Sequence, residues 1–523
     1  MSLGNLLFRK WRWDIIGVVG AALLLSLATT APSAYFLHFD APTQDYMAAI
    51  WMQNCWEHVT EKILPVLLLA PIFRVFGPAP HWETLLLMIA TATSLATVYE
   101  LTRLFNGTRL AGIIAALLLA ALPAFQYFSR IHLGYPIPFL LLGWLMIWHK
   151  RWALAGACFG LAITAHYNSW APVGLSLLAA MSFSRPPTWK NRLIFGTSFA
   201  APLLAVDGLF FLYNGVAFEW NRSVFTEITR LSRLGDATPK PNWLWVGETV
   251  ITSNGLILAL VLATGIFAPL ILFRRDKAGL AVSLTCVVLA SLYTVQAGLG
   301  RAFLVSRVLA SAYPFWAICS ASVCANMLGR LRPVPLRRIG AGIVILGLAG
   351  AIAHTAIFIR EFTETLYPQI EQAFIKAAEE KRPVRHEGNR WIPLFFAQIY
   401  EIELLTNDSR WIKADSPGQA VLIFEHESPG TLSRDNYRIE SLEIGSTTDA
   451  LYPGLMEEAG IPRRFEIWWP AGASSLIGNQ INLPSYSAYY SGSGCVTPPP
   501  YGAGTLYFHQ LVWQKITNWL GPQ

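Results

Sequence analysis

The sequence predicts an α-helical polytopic membrane protein that ends in a small α/β domain outside the membrane. Three observations predict this class. Of the 523 residues, 54% are hydrophobic and 14% are charged, whereas soluble domains carry about 25% charged residues. About 11 segments are apolar over roughly the 20 residues that a spanning helix needs. After residue 358 the chain becomes polar over its last stretch, which is long enough to hold its own core. A large soluble enzyme is therefore excluded.

The basic residues predict the orientation of the spans, because short cytoplasmic loops carry an excess of Lys and Arg. With the N-terminus inside, every predicted inner loop is basic, so the net charge of +7 reports these loops and no nucleic-acid partner is expected. We expect a multi-pass protein of the cell membrane, specifically a bacterial inner membrane, with an extracytoplasmic C-terminal domain. The predicted spans are 14–37, 82–101, 110–128, 135–149, 152–168, 170–184, 193–213, 248–273, 278–297, 307–328 and 339–358.

The division predicted from this layout is a transmembrane domain over 1–358 and a soluble α/β domain over 359–523. In the second domain AVLIFEHE and RRFEIWWP are typical of strands, and TDALYPGLMEEAG and TLYFHQLVWQKITNWL of helices.

The first outer loop, at about 38–81, is too long for a simple connector. It predicts a helix from Asp45 to about Thr60 and a second apolar piece that ends near Phe76, both along the membrane surface. Asp40 and Asp45 stand at its start, where a carboxylate can activate a hydroxyl or an amine as a general base. Capping of the following helix is the alternative for these two residues.

Two stretches carry a resemblance to a known family. HFDAPTQDYMAAI, after the first span, is similar to the family's acidic, then Tyr, then Ala pattern, and VFGPAPHWETLLLMIATATSLATVYELTRLFNGTRLAGIIAALLLAALPAFQYFSRIHLGYPIPFLLLGW is similar to its second to fourth spans. With the overall layout, the chain resembles the GT-C superfamily of membrane glycosyltransferases, in the protein mannosyltransferase and aminoarabinose transferase branch (glycosyltransferase family 39-like).

The resemblance implies transfer of a sugar from a polyprenyl-phosphate carrier to an acceptor at the outer face of the membrane. The first-loop Asp would be the catalytic base, and basic residues would hold the donor phosphate. The chain departs from the family at two points. Asp40 and Asp45 are not adjacent to a second acid, and the loop between the third and fourth spans has Arg130 and His132 where many members have an acid.

Further candidates for substrate binding lie at the predicted outer ends of the spans. Arg130 and His132 stand where the family places a phosphate ligand, and an Arg binds phosphate in bidentate fashion; snorkelling at the interface is the alternative. An acid inside a span, such as Asp207, suggests function, although it is also suited to pairing with a nearby Arg. The complete set of substrate-binding candidates is Lys62, Arg130, His132, Tyr135, His166, Tyr167, Asp207, Arg301 and Arg307.

No cofactor is expected. The His and Cys residues lack metal-ligand spacing, so a divalent metal is not indicated, and a lipid-linked donor needs no nucleotide loop. The expected partners are the polyprenyl-phosphate sugar, membrane lipids and possible proteins at 359–523. A disulfide between Cys55 and Cys495 is a hypothesis. The alternative function is a non-catalytic scaffold subunit that binds partners through its external domain.

Overall fold

The computed structural model describes most of the membrane part and the core of the C-terminal domain. The described residues are 13–30, 48, 62–166, 169–183, 188–214, 218, 220–222, 224, 241–272, 277–299, 306–387, 391–400, 402, 404–405, 421–425, 437–444, 452–453, 455 and 464–470.

A helix lies within each predicted span in this part of the chain. The helices are α1 (Trp13–Thr29), α2 (Ile63–Phe76), α3 (His81–Asn106), α4 (Arg109–Ala121), α5 (Pro123–Phe128), α6 (Pro136–Trp148), α7 (Trp152–Ala165), α8 (Trp170–Phe183), α9 (Trp189–Asn214), α10 (Trp245–Asn254), α11 (Leu256–Ala263), α12 (Ala268–Leu272), α13 (Lys277–Gly298), α14 (Tyr313–Arg330) and α15 (Val334–Phe362). Three 3₁₀ turns, His132–Gly134, Thr264–Phe267 and Ser306–Ser311, lie between them.

Four helices of the described chain are long enough and apolar enough to cross a membrane. They are His81–Asn106, Trp189–Leu212, Gly279–Gly298 and the apolar part of Val334–Glu379. The other apolar helices have 10–17 residues, so their crossing of the membrane stays a prediction. Together these helices fit a polytopic membrane protein.

Helix α3 lies at the centre of the membrane part, where it packs against α1, α4, α6 and α14. Gly107, in the left-handed conformation at φ 70°, ends α3, and the Thr108 hydroxyl accepts a hydrogen bond from the Ala111 amide at the start of α4. At Gly112 a Cβ would lie 2.6 Å from the Tyr99 carbonyl oxygen, so the two helices come together only because this residue has no side chain. The Tyr99 hydroxyl donates to Asp14 across 2.8 Å, which joins α3 to the start of α1.

Several predicted spans differ from the structure. The span at 110–128 is broken into α4 and α5 at Leu122, because Pro123 has no amide hydrogen and cannot continue the helix. The span at 248–273 is interrupted at Gly255, whose φ of 77° is a conformation that few other residues adopt. The first span also ends earlier than predicted, at Thr29.

The residues of the C-terminal part that the structure describes form a mixed sheet and two helices. After α16 (Tyr367–Glu379) come β1 (Val384–Glu387), α17 (Trp391–Tyr400), β2 (Leu404–Leu405), β3 (Val421–Glu425), β4 (Tyr437–Glu443) and β5 (Arg464–Pro470). The strand order is β2-β1-β3-β5-β4. β1 is parallel to β2 and β3, whereas β5 is antiparallel to β3 and β4. The predicted strands AVLIFEHE and RRFEIWWP contain β3 and β5, and the two predicted helices lie mostly or wholly outside the described residues.

Aromatic side chains join this sheet domain to the membrane helices. The Phe395 ring of α17 lies 6.4 Å from the Phe73 ring of α2. Tyr452 packs edge-on against Phe358 of α15 at 4.6 Å, and its hydroxyl lies 3.3 Å from Nδ1 of His354. The C-terminal part therefore contacts both the first-loop helix and α15.

Candidate active site

Most of the described candidate residues lie at one end of the helix bundle. This is the end predicted to face outside, where α1, α5 and α7 end and α3 and α6 begin. The 3₁₀ turn His132–Gly134 packs there against α3, α5, α6 and the turn Ser306–Ser311. The turn Ser306–Ser311 contains Arg307, so the fold brings Arg307 and His132 to the same end.

Arg130 is the most constrained of these residues. It is 3% exposed, so it does not snorkel to the interface. Its Nη1 donates to the Thr29 carbonyl oxygen at 3.2 Å, and its Nη2 donates to the Thr29 hydroxyl and to Oε1 of Gln126, the last at 3.2 Å. The Thr29 hydroxyl itself donates to the Leu25 carbonyl oxygen at 2.7 Å, which leaves its lone pairs to the guanidinium. Arg130 thus closes the carbonyl end of α1, where a positive charge is favourable.

The charge of Arg130 has no acidic partner in the part of the chain that the structure describes. Its Nε is buried and has no hydrogen-bond acceptor there. Arg130 lies in the turn between α5 and His132, outside the helices, and burial lowers its pKa to about 9. The guanidinium therefore stays protonated at neutral pH. A buried positive charge without an acidic partner is costly, and because none of the described residues supplies that partner, this end of the bundle is suited to an anion.

Local sequence explains why Arg130 takes this position. Pro123 begins the short helix α5, and the Ala124 amide donates to Oδ1 of Asn254 at 3.2 Å. The chain then turns back so closely that a Cβ on Gly134 would lie 2.1 Å from the Ser129 carbonyl oxygen. Only glycine fits at residue 134, and this close turn holds Arg130 against the end of α1.

A pair of stacked imidazoles lies beside this turn. The rings of His132 and His166 are nearly parallel, with their centroids 5.0 Å apart, and both residues are buried. Tyr135 is also buried and packs with Leu87 and Ala165 against Leu64 of α2. Lys62 is partly buried and precedes Leu64 by two residues. The chain therefore brings Lys62 near the cluster of Tyr135, Leu87 and Ala165.

Asp207 belongs to a separate cluster. Its Oδ1 accepts a hydrogen bond from the backbone amide of Asn221 at 3.1 Å, and its Oδ2 accepts one from Nδ2 of the Asn221 side chain. No ion pair between Asp207 and Arg307 is seen in the described chain, and Arg301, the other Arg suited to pair with it, lies outside the described residues. The hydrogen bonds to Asn221 satisfy the buried carboxylate, and a role of Asp207 in substrate binding stays a prediction.

Several predicted residues lie outside the described residues. These are both candidate bases, Asp40 and Asp45, together with Tyr167, Arg301 and the two cysteines of the proposed disulfide, Cys55 and Cys495. No group of three His, Cys, Asp or Glu side chains in the described chain is placed to hold a metal ion. Because the two acids of the first loop are not among them, the expectation about metals stays a prediction.

Three residues at this end were not predicted from the sequence. Thr29 and Gln126 are the acceptors of Arg130, and Glu83 is a buried carboxylate in the first turn of α3. Glu83 carries a signal in the sequence, because an acid at the start of an apolar helix is unusual in a membrane. Thr29 and Gln126 lie in apolar runs and carry none.

An apolar cavity of about 630 Å³ lies among the membrane helices. It is lined by α10, α11, the turn Thr264–Phe267, α13 and Trp316 of α14. Its hydroxyls are satisfied within their own helix, since Ser291 donates to the Val287 carbonyl oxygen and Thr294 to that of Ala290. Helix α10, which forms one wall, packs against α5, and α5 precedes Arg130 in the chain.

Comparison with known proteins identifies the fold. No protein-family model matches the sequence, and no curated protein matches it. Among solved structures, the chain is similar to ArnT from Cupriavidus metallidurans bound to undecaprenyl phosphate, with 12% identity, a TM-score of 0.56 and coverage of 91% of this chain and 100% of that chain. The apo state of the same ArnT gives 12% identity, a TM-score of 0.56 and coverage of 89% and 99%. The chain has the fold of the GT-C membrane glycosyltransferases.

Proposed function

We propose that the protein is a membrane glycosyltransferase. It moves a sugar from a polyprenyl-phosphate carrier to an acceptor at the outer face of a bacterial inner membrane. The observation that carries this proposal is Arg130, whose buried charge has no acidic partner in the described chain. A phosphate group compensates such a charge and accepts hydrogen bonds from a guanidinium.

The carrier also needs a place for its isoprenoid chain. The 630 Å³ cavity is lined by apolar side chains and satisfied hydroxyls, and its wall helix α10 packs against α5, which precedes Arg130 in the chain. A ligand with an anionic head and an apolar tail fits this pair of features. The GT-C fold and the undecaprenyl phosphate bound to the similar ArnT support the same donor class.

In the proposed reaction the acceptor oxygen or nitrogen attacks C1 of the sugar. The bond between C1 and the phosphate oxygen breaks, its electron pair stays on the phosphate, and the acceptor proton passes to a carboxylate. Asp40 or Asp45 is the proposed base. The remaining proposed contacts to donor or acceptor are Lys62, His132, Tyr135, His166, Tyr167, Asp207, Arg301 and Arg307. Residues 359–523 would form an extracytoplasmic domain that selects the acceptor or binds a protein partner.

The test measures sugar transfer in vesicles that contain the full-length protein. Undecaprenyl-phosphate mannose and undecaprenyl-phosphate aminoarabinose, both radiolabelled, are supplied in parallel. We expect transfer with one of them, and we expect Asp40→Asn or Asp45→Asn to abolish it. Asp14→Asn is the matched control, because Asp14 lies at the other end of α1 and bonds Tyr99. Full activity in the Asp40→Asn, Asp45→Asn double variant would contradict the catalytic role and favour the scaffold.

A further inference from the structure

Gln126 has a donor that nothing in the described chain uses. It lies in α5, one turn before Arg130, and is 1% exposed. Its Oε1 accepts a hydrogen bond from Nη2 of Arg130 at 3.2 Å. Its Nε2 is buried and has no acceptor among the described residues. Buried amide nitrogens without an acceptor are rare in folded proteins.

The orientation of this amide is fixed by Arg130. The oxygen and nitrogen of a Gln side chain are exchanged by a half-turn of the amide group. In the exchanged orientation the NH₂ group would face the guanidinium, donor against donor. Arg130 therefore holds the Gln126 oxygen towards itself, and the NH₂ group points away from it.

Gln126 and Arg130 thus form one hydrogen-bonded unit with two unused donors. These are Nε2 of Gln126 and Nε of Arg130, both buried. Water molecules would satisfy these two donors but would leave the charge of Arg130 without an acidic partner among the described residues. An anion with several acceptor oxygens satisfies both requirements.

We propose that Gln126 donates a hydrogen bond to the phosphate of the lipid-linked donor, as the partner of Arg130. This inference rests on the proposed function and adds a residue to its donor site. When the C1–O bond breaks, the phosphate gains a negative charge on the oxygen that leaves. A donor fixed at that phosphate stabilises the charge as it develops, so Gln126 contributes to catalysis as well as to binding.

The test compares two substitutions that differ in charge. Gln126→Met removes the donor and keeps the chain length. Gln126→Glu keeps the shape, pairs with Arg130 and places a negative charge where the phosphate binds. The full-length protein is purified in detergent, and its Kd for undecaprenyl phosphate and its thermal unfolding are measured. Asn106→Asp is the control, because Asn106 is a buried amide at the other end of α3 that bonds Ser322.

We expect Gln126→Met to raise the Kd for undecaprenyl phosphate at least about tenfold. Gln126→Glu should raise it further, while its Tm stays equal to that of the wild type or increases, because the new carboxylate neutralises Arg130. A merely structural role for Gln126 predicts the opposite pattern, namely a lower Tm for both variants and an unchanged Kd of the folded protein.

Two results separate this inference from the proposed function. If the wild type binds undecaprenyl phosphate and both Gln126 variants bind it equally well, the role of Gln126 is wrong and the proposed function stands. If the wild type neither binds undecaprenyl phosphate nor transfers sugar, both are wrong. An experimental structure with bound undecaprenyl phosphate that shows only water at Nε2 of Gln126 would also overturn the inference.

Discussion

Replacement of Arg130 by Met separates a ligand role from a structural role. The substitution removes the three hydrogen bonds of the charged guanidinium to Thr29 and Gln126, at a cost of about 1.5–3 kcal/mol each. It also removes a buried charge. Because burial lowers the pKa of Arg130 from 12.5 to about 9, the charged form is disfavoured by on the order of 5 kcal/mol. The two effects oppose each other, so we expect Arg130→Met to fold with a stability close to that of the wild type.

Donor binding should respond very differently. A hydrogen bond between a guanidinium and a phosphate contributes about 1.5–3 kcal/mol, which corresponds to a roughly 10- to 150-fold higher Kd for undecaprenyl phosphate. Arg130→Lys should recover little of the affinity for undecaprenyl phosphate, since an ammonium group cannot donate to Thr29 and Gln126 with the forked geometry of a guanidinium. Arg103→Met is the control, because Arg103 pairs with Glu100 at the other end of α3.

The assay combines equilibrium binding of undecaprenyl phosphate with thermal unfolding in the same detergent. If Arg130→Met unfolds at a much lower temperature but binds the lipid with wild-type Kd when folded, Arg130 only closes the end of α1. The pH gives a second readout. A guanidinium with a pKa of about 9 stays protonated below that pH. The Kd for undecaprenyl phosphate should therefore be constant near neutral pH and increase as the pH rises above about 9.

Three further predictions test the surroundings of the site. Ala259→Phe narrows the cavity and should raise the KM for an undecaprenyl donor several-fold, while the KM for a short citronellyl donor stays unchanged. The rise is only several-fold because the displaced isoprenoid chain returns to lipid rather than to water. Ile257→Phe, 79% exposed on the same helix, should change neither KM. Phe395→Ala should destabilise the contact between α17 and α2 by about 3–5 kcal/mol. Trypsin should then cleave residues 359–523 faster than in the wild type, and an unchanged cleavage rate would contradict the contact. Gly134→Ala should weaken binding of undecaprenyl phosphate by forcing the turn apart, whereas Gly174→Ala, with nothing within 4 Å of its new Cβ, should bind normally.

The apolar runs were sufficient to predict where the helices lie, because burial in lipid or protein requires this composition. The second piece of the first loop, predicted to end near Phe76, is helix α2. Strands β3 and β5 are apolar enough to be predicted. By contrast, β4 alternates polar and apolar residues over only seven positions, and it acquires strand structure by pairing with β5.

The candidate site shows a different limit of prediction. The sequence indicated Arg130 because it is a basic residue in a predicted outer loop, where the GT-C family places a phosphate ligand. Its burial and its bonds to Thr29 and Gln126 depend on the turn at Gly134 and on the break at Pro123, both of which are consequences of packing between distant segments. For the same reason the hydrogen bonds between Asp207 and Asn221 could not be predicted from the sequence.

The bond between Thr29 and Arg130 has a consequence for biosynthesis. It joins residues that are 101 positions apart, so the first helix enters the membrane well before its partner has been made. Until Arg130 arrives, the last carbonyl of that helix lacks this hydrogen-bond donor. The end of the first helix can be closed in this way only after the polypeptide has passed α5, which makes formation of the proposed phosphate site around Arg130 a late event in insertion. A ribosome-stalled chain that ends shortly before Arg130 should therefore contain the first helix and lack any binding of undecaprenyl phosphate.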